Sequence, residues 1–181
     1  MKILIAYYSR TKNTERIALA IKENFIKAVS DFIKANKIAL MPQCHIEAIL
    51  DTKNRIGIIG YLFAGRDAVK KKLTKLKPLK FNPTDYDLVI IGTPIWAYNV
   101  SVPVKTYLMQ NSGKFKNVAF FCTQGGKGAE KAFEEMENDC GNKPIATVKF
   151  LTKDVARNNF KNDLEKFISE ISNFVCDGTK L

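Results

Sequence analysis

Five short apolar runs alternate with helical patterns along this chain, and that alternation limits the fold more than any other feature. The first and third runs are apolar on both faces, as in strands buried within a parallel sheet. Strands separated by helices predict a doubly wound α/β fold, with a five-stranded parallel sheet between two layers of helices. The predicted strands are Ile3–Tyr8, Cys44–Leu50, Asp87–Gly92, Val118–Cys122 and Ile145–Phe150.

The helices are predicted from apolar stripes and from end signals. One helix is expected from about Gly128 to a stop at Gly141, and Ser101 is expected to be the N-cap of another, with Pro103 in its first turn. At 181 residues the chain is expected to form a single domain, 1–181. Two longer stripes have helical spacing: Ile17, Ile21, Phe25, Ala28 and Phe32, and then Phe160, Leu164, Phe167, Ile171 and Phe174.

Composition argues against several other classes of protein. A hydrophobic fraction of 46% with 26% charged residues is typical of a globular chain and not of a disordered one. No apolar run is long enough for a membrane span, and no signal-peptide cleavage site follows the first run. Four scattered cysteines and one histidine, His45, predict reduced buried thiols, no metal site and a cytoplasmic protein. His45 has no visible partner in the sequence and is interpreted as structural.

In a doubly wound fold, ligands bind beyond the carboxyl ends of the strands, so the segments 9–14, 93–101 and 123–128 are the candidates. The first, Ser9 to Thr14 (SRTKNT), offers hydroxyls and an amide before a helix, whose N-terminus favours a bound anion. It contains no glycine, which argues against the GxxxxGK[ST] and GxGxxG nucleotide loops. Ordinary helix capping by Ser, Thr and Asn is the alternative interpretation.

The other two segments have the composition of a site for a flat ligand. Trp96 and Tyr98 follow the third strand, where an aromatic ring could stack on a ligand or simply cover the core. Three glycines in the segment Thr123 to Gly128 let the backbone approach a ligand closely, although an ordinary turn before a helix would use them too. Three such segments at neighbouring strand ends favour one shared pocket.

These segments, in this order, resemble those of the flavodoxin-like family, whose members bind flavin mononucleotide (FMN). The family's phosphate loop, S/T-x-T-x-N-T, is matched by Ser9, Thr11, Asn13 and Thr14. The resemblance covers nearly the whole chain and implies the strand order 2-1-3-4-5, with FMN bound non-covalently. The implied cofactor-binding residues are Ser9, Arg10, Thr11, Lys12, Asn13, Thr14, Thr93, Pro94, Ile95, Trp96, Ala97, Tyr98, Asn99, Thr123, Gln124, Gly125 and Gly126.

The resemblance also implies which part of FMN each segment contacts. The segment 9–14 would hold the phosphate, and the backbone of 94–99 would run beside the flavin ring. Trp96 or Tyr98 would supply a stacking face, while Gly125 and Gly126 would let the third segment meet the polar edge of the ring. No side chain is expected to be catalytic, because the cofactor carries the chemistry.

The net charge of +11 separates this chain from the family's low-potential carriers, which are typically acidic. One positive charge about 8 Å from the flavin would favour its reduced anion by roughly 2 kcal/mol at an effective dielectric near 20. We therefore expect an FMN-dependent oxidoreductase that passes reducing equivalents from a reduced nicotinamide to a quinone or similar acceptor. The alternative is a one-electron carrier that docks to a redox partner protein.

The basic charge is concentrated in one part of the chain. Residues 51–80 carry nine basic and two acidic side chains, and so account for seven of the eleven excess charges. Helical spacing of apolar residues predicts a basic amphipathic helix within 56–80. Its lysine face could be solvated, form a pocket wall or the contact of a homodimer, or bind a membrane surface or an acidic partner. Nucleic-acid binding is not expected, since aromatic residues are not interleaved with these charges.

Overall fold

A five-stranded parallel sheet forms the middle layer of the fold. The computed structural model describes residues 1–36, 43–52 and 73–178. Numbered along the chain, the parallel strands lie in the order β2-β1-β3-β4-β5, which confirms the order that the resemblance implies. The strands are β1 (Lys2–Tyr7), β2 (Gln43–Ala48), β3 (Leu88–Trp96), β4 (Val118–Gln124) and β5 (Pro144–Leu151).

The register of the sheet aligns the carboxyl ends of its inner strands. Tyr7 at the end of β1 is paired with Gly92 of β3, and Pro94 of β3 is paired with Thr123 of β4. β1, β3 and β4 are almost completely buried because helices cover both faces of the sheet. This burial explains why these strands are apolar on both faces. The segments that follow them therefore meet at one edge.

Within the described ranges, five helices form the two outer layers. They are α1 (Asn13–Asn36), α2 (Val102–Gln110), α3 (Ala129–Cys140), α4 (Thr152–Ala156) and α5 (Lys161–Gly178), and a 3-10 turn spans Pro83–Asp85. The helices α1 and α5 pack with the short α4 on one face of the sheet, where Phe25 and Phe167 are fully buried. On the other face, α2 and α3 bury Tyr107 and Met136. None of these described helices is both long and apolar enough to cross a membrane.

Two strands extend further than the sequence pattern predicts. β3 continues four residues beyond Gly92, to Trp96, and β4 continues two residues beyond Cys122, to Gln124. Pro94 in the first extension pairs with Thr123 in the second, and the end of β3 also pairs with an antiparallel return strand, Asn99–Val100. Much of the segment predicted as a loop at 93–101 is therefore a β-hairpin.

The structure refines three local expectations. Ser101 is the N-cap of α2, as predicted, but its side chain makes no capping bond, because its hydroxyl lies 3.0 Å from Thr93 Oγ1 instead. Phe160 lies just before α5 rather than within it, and its ring packs edge-on against Phe150. His45 does have partners: its Nδ1 lies 2.9 Å from the Tyr86 hydroxyl, which agrees with a structural role.

The predicted helix at 56–80 falls largely outside the described residues, which resume at Leu73. Its last part is not helical. Asp51 and Leu76 form an antiparallel β-bridge, flanked by hydrogen bonds from Thr52 N to Lys75 O (3.0 Å) and from Lys77 N to Leu50 O (2.8 Å). We call these contacts the base ladder. Backbone pairing with the residues that follow β2 overrides the helical spacing in this part of the chain.

Candidate functional site

The three predicted segments meet at the carboxyl ends of β1, β3 and β4, and we call residues 9–14, 93–99 and 123–128 together the three-loop site. The most direct link is the bond between the Thr14 and Thr123 hydroxyls, whose oxygens lie 2.8 Å apart. Both residues are buried, at 1% and 4% exposure, so this bond lies beneath the surface of the site. It joins the start of α1 to the end of β4.

The first segment forms the N-terminus of α1. Its Ser9 Oγ is buried and has no hydrogen-bond partner among the described residues. The side chain of Asn13, the first residue of α1, donates to Thr11 Oγ1 at 3.2 Å. Lys12 has a left-handed backbone (φ 68°), and its ammonium lies 2.6 Å from Glu15. A buried hydroxyl without a hydrogen-bond partner destabilises the protein unless a ligand or water forms that hydrogen bond.

The second segment is a tight hairpin. β3 turns back at Ala97 and Tyr98, and the return strand follows at once, with Trp96 paired to Asn99. Ala97 and Tyr98 both have positive φ angles, 46° and 65°. Two successive left-handed residues make the type I′ turn that two-residue hairpins prefer, normally with Asn or Gly at these positions. Neither residue type tolerates this conformation well, and such strain is concentrated at functional sites.

The hairpin separates the two aromatic candidates. Trp96 is only 6% exposed, and its ring packs edge-on against Tyr8 with the ring centres 5.5 Å apart. Tyr98, at the turn, is 59% exposed. Trp96 therefore belongs to the core as the structure stands, whereas Tyr98 offers a free ring face at the site.

Several predicted site residues use their polar groups within the protein. Thr93 is buried, and its Oγ1 accepts from the backbone N–H of Ser101 at 3.1 Å. The Asn99 side chain donates to the carbonyl of Ala97, across the turn. Gln124 Oε1 accepts from Ala129 N at 3.0 Å and so caps α3. These three side chains therefore shape the loops through bonds within the protein.

The third segment is open at its centre and tight at its end. A Cβ built on Gly125 or Gly126 would meet no atom within 4 Å, so both glycines border open space. Gly128 has φ 113°, and a Cβ there would lie 2.9 Å from Tyr98 Cα. Gly128 therefore lets the start of α3 lie directly against the hairpin turn.

The remaining predicted residues lie around these contacts. Arg10, Pro94 and Ile95 are half-buried, and Pro94 continues β3 beside Thr123.

The sequence matches the Flavodoxin family profile over residues 2–167. The chain belongs to the flavodoxin family.

Solved structures share this fold. The fold is similar to that of a flavoprotein from Lactobacillus acidophilus NCFM in complex with FMN, with a TM-score of 0.62, 20% identity, and coverage of 86% of this chain and 97% of the other. It is also similar to oxidised Flavodoxin 1 from Bacillus cereus, with a TM-score of 0.55, 14% identity, and coverage of 96% and 98%. No curated protein sequence matches the chain.

In this member of the flavodoxin family, α3 makes polar contacts to the hairpin that the sequence analysis missed. Lys131 Nζ donates to Asn99 Oδ1 at 3.0 Å, and Val100 N donates to Glu135 Oε2 at 3.3 Å. Glu135 also accepts from Lys105 Nζ of α2 at 3.0 Å. These pairs are 30 to 35 residues apart in sequence, and no local pattern marks them.

The thiol nearest the site of this flavodoxin-family chain is not a reactive nucleophile. Cys122 is fully buried, and burial raises the pKa of its thiol to about 12, so it stays protonated and a weak nucleophile at neutral pH. Among the described residues, no cluster of three or more His, Cys, Asp or Glu side chains could hold a metal ion. The site can bind and position a ligand.

Proposed function

We propose that this chain binds FMN non-covalently at the three-loop site and passes reducing equivalents. The observation that carries the proposal is the convergence of a helix N-terminus, an exposed aromatic turn and an open glycine pair, linked by the Thr14–Thr123 bond. Family membership supports it, and so does the Lactobacillus acidophilus flavoprotein, which was solved in complex with FMN.

The residues at the start of α1 fit a phosphate. The buried Ser9 hydroxyl lacks a partner among the described residues, and it could donate to a phosphate oxygen. The first backbone N–H groups of α1 and the positive end of its dipole favour an anion at the same place. Thr11 and Asn13 would add donors at the surface, and Arg10 and Lys12 would contribute positive charge.

The turn and the glycines fit a planar ring. Tyr98 would supply the stacking face, because it is 59% exposed while Trp96 is buried against Tyr8. The backbone of 94–99 would border one edge of the ring. Gly125 and Gly126 would leave room for its polar edge, since nothing lies within 4 Å of where their side chains would begin.

Bound FMN supplies reversible reduction by one or two electrons, and the protein contributes position and potential. The net charge of +11 favours the reduced anion. We therefore place two-electron transfer from a reduced nicotinamide to a quinone or similar acceptor first. A one-electron carrier for a redox partner protein comes second, and the Flavodoxin family match favours it.

The test begins with binding. Titration of the protein with FMN should quench flavin fluorescence to a one-to-one end point, and an unperturbed flavin spectrum would contradict the proposal. Ser9→Ala removes no hydrogen bond within the described protein, so it should weaken FMN binding about tenfold and leave thermal stability unchanged. Riboflavin, which has no phosphate, is the matched control ligand, and its affinity should be the same for both proteins.

An anaerobic reductive titration then separates the two roles. If the visible spectrum changes directly from oxidised to fully reduced flavin, two-electron transfer is supported, and assays with NADH, NADPH and quinones follow. If a third spectrum accumulates at half-reduction, the carrier role takes its place.

A further inference from the structure

One face of α3 supports the hairpin turn along two helical turns. Lys131 and Glu135 are four residues apart and so lie on one face of α3, and Gly128 is the residue just before the helix. Gly128 lies under the backbone of Tyr98, Lys131 bonds Asn99, and Glu135 bonds Val100. These contacts therefore follow the hairpin from its turn into the return strand.

Glu135 accepts a hydrogen bond from a backbone N–H that the hairpin leaves unpaired. In a two-residue hairpin, the pair next to the turn exchanges hydrogen bonds and the following pair does not. Val100 belongs to that second pair, opposite Ile95, so its N–H points away from β3. Val100 is 1% exposed, which leaves water little access, and Glu135 Oε2 accepts this N–H at 3.3 Å.

A buried lysine fixes the Glu135 carboxylate in turn. Lys105 Nζ lies 3.0 Å from Glu135 Oε1 and 2.6 Å from Asp139 Oδ2, and the Lys105 and Glu135 side chains are each 9% exposed. Burial limits the freedom of these groups and reduces their screening by salt. The carboxylate that holds the return strand is therefore itself held from the opposite side by α2.

The turn needs such support because its conformation is unfavourable for its residues. Ala97 and Tyr98 both have left-handed backbones, which non-glycine residues keep only where the surroundings enforce them. We infer that Glu135 is a positioning residue: through Val100 it keeps the Ala97–Tyr98 turn in the shape that receives the flavin ring. The inference rests on the proposed binding of FMN at the three-loop site.

Three variants separate this role from simple effects of charge. Glu135→Ala removes the acceptor of the Val100 N–H. Lys105 keeps Asp139 as its counter-ion, so the substitution leaves no buried charge unpaired. Glu135→Gln removes the same charge but keeps a carbonyl that can accept from Val100. Glu134→Ala removes one negative charge at the neighbouring, exposed position of α3.

The experiment measures the FMN dissociation constant and the amide exchange of Val100 for the parent and all three variants. Glu135→Ala should weaken FMN binding about tenfold and speed exchange at Val100 at least tenfold, as expected for the loss of a charge-assisted hydrogen bond. Glu135→Gln and Glu134→Ala should each change FMN affinity less than about threefold. Exchange at Phe120, in the middle of β4, should be unchanged in every variant, which verifies that the sheet is intact.

The experiment distinguishes failure of the proposed function from failure of the inference about Glu135. If the parent binds no FMN, the proposed function and this inference both fail. If the parent binds FMN and Glu135→Ala binds it equally well, only this inference fails. Equal weakening by Glu135→Ala and Glu135→Gln would assign the effect to charge and would also overturn it.

Discussion

Gly128 is the position where one added methyl group should disturb the site most selectively. In Gly128→Ala the new Cβ would lie 2.9 Å from Tyr98 Cα and 3.2 Å from Ile95 Cγ2, and the residue would keep φ 113° only under strain. The left-handed backbone costs about 1–2 kcal/mol, and overpacking adds about 1–3 kcal/mol. We expect a loss of about 3 kcal/mol in the free energy of unfolding.

The matched control is Gly126→Ala, two residues earlier. Its Cβ would meet no atom within 4 Å, so stability should change by less than about 0.5 kcal/mol. FMN affinity should still fall, because the methyl group occupies the space proposed for the edge of the ring. The two alanines thus separate damage to the hairpin support from damage to the ligand space.

Thermal unfolding of the FMN-free proteins, followed by circular dichroism, measures the difference. For a chain of this length, about 3 kcal/mol corresponds to a fall of roughly 6–12 °C in Tm for Gly128→Ala, against about 1–2 °C at most for Gly126→Ala. Equal Tm values for Gly128→Ala and the parent would refute the close approach of α3 to the hairpin turn.

Three other substitutions test separate contacts. Thr14→Val leaves the buried Thr123 hydroxyl without its partner and should cost about 1–3 kcal/mol in urea unfolding, while Thr14→Ser should cost much less. Tyr98→Ala should weaken FMN binding about threefold to tenfold by fluorescence titration, and Tyr98→Phe should retain the affinity, because stacking needs only the ring. The backbone N–H of Lys2 lowers the pKa of Asp87, so the stability advantage over Asp87→Asn should be complete at pH 7 and lost as pH falls below about 4. An advantage that persists at pH 2 would contradict this assignment.

The alternation of apolar runs and helical stripes was sufficient to predict the sheet and its two layers of helices. Each element carries its own periodicity, and burial on both faces marks inner strands such as β1 and β3. The strand order came from the resemblance, because periodicity does not reveal which strands are neighbours. The location of the proposed site followed from topology, since parallel strands bring their carboxyl ends to one edge.

The finer parts of the site depend on contacts that sequence spacing does not encode. Nothing near Trp96 indicates that Tyr8 would cover it, so the difference in exposure between Trp96 and Tyr98 could be seen only in the structure. The turn at Ala97 and Tyr98 lacks the Asn or Gly that usually marks a type I′ hairpin. Long-range support from α3 replaces that local signal, and for the same reason Glu135 could not be found from the sequence.

The base ladder joins the two described parts of the chain that flank residues 53–72. The two ends of this stretch are fixed next to each other by hydrogen bonds between residues 50–52 and 75–77. Residues 53–72 carry six basic side chains and one acidic side chain, so five net positive charges sit on a stretch whose ends are already joined. The backbone hydrogen bonds of the ladder itself are made by residues outside this stretch. Five of the eleven excess positive charges are therefore connected to the described fold through this one ladder.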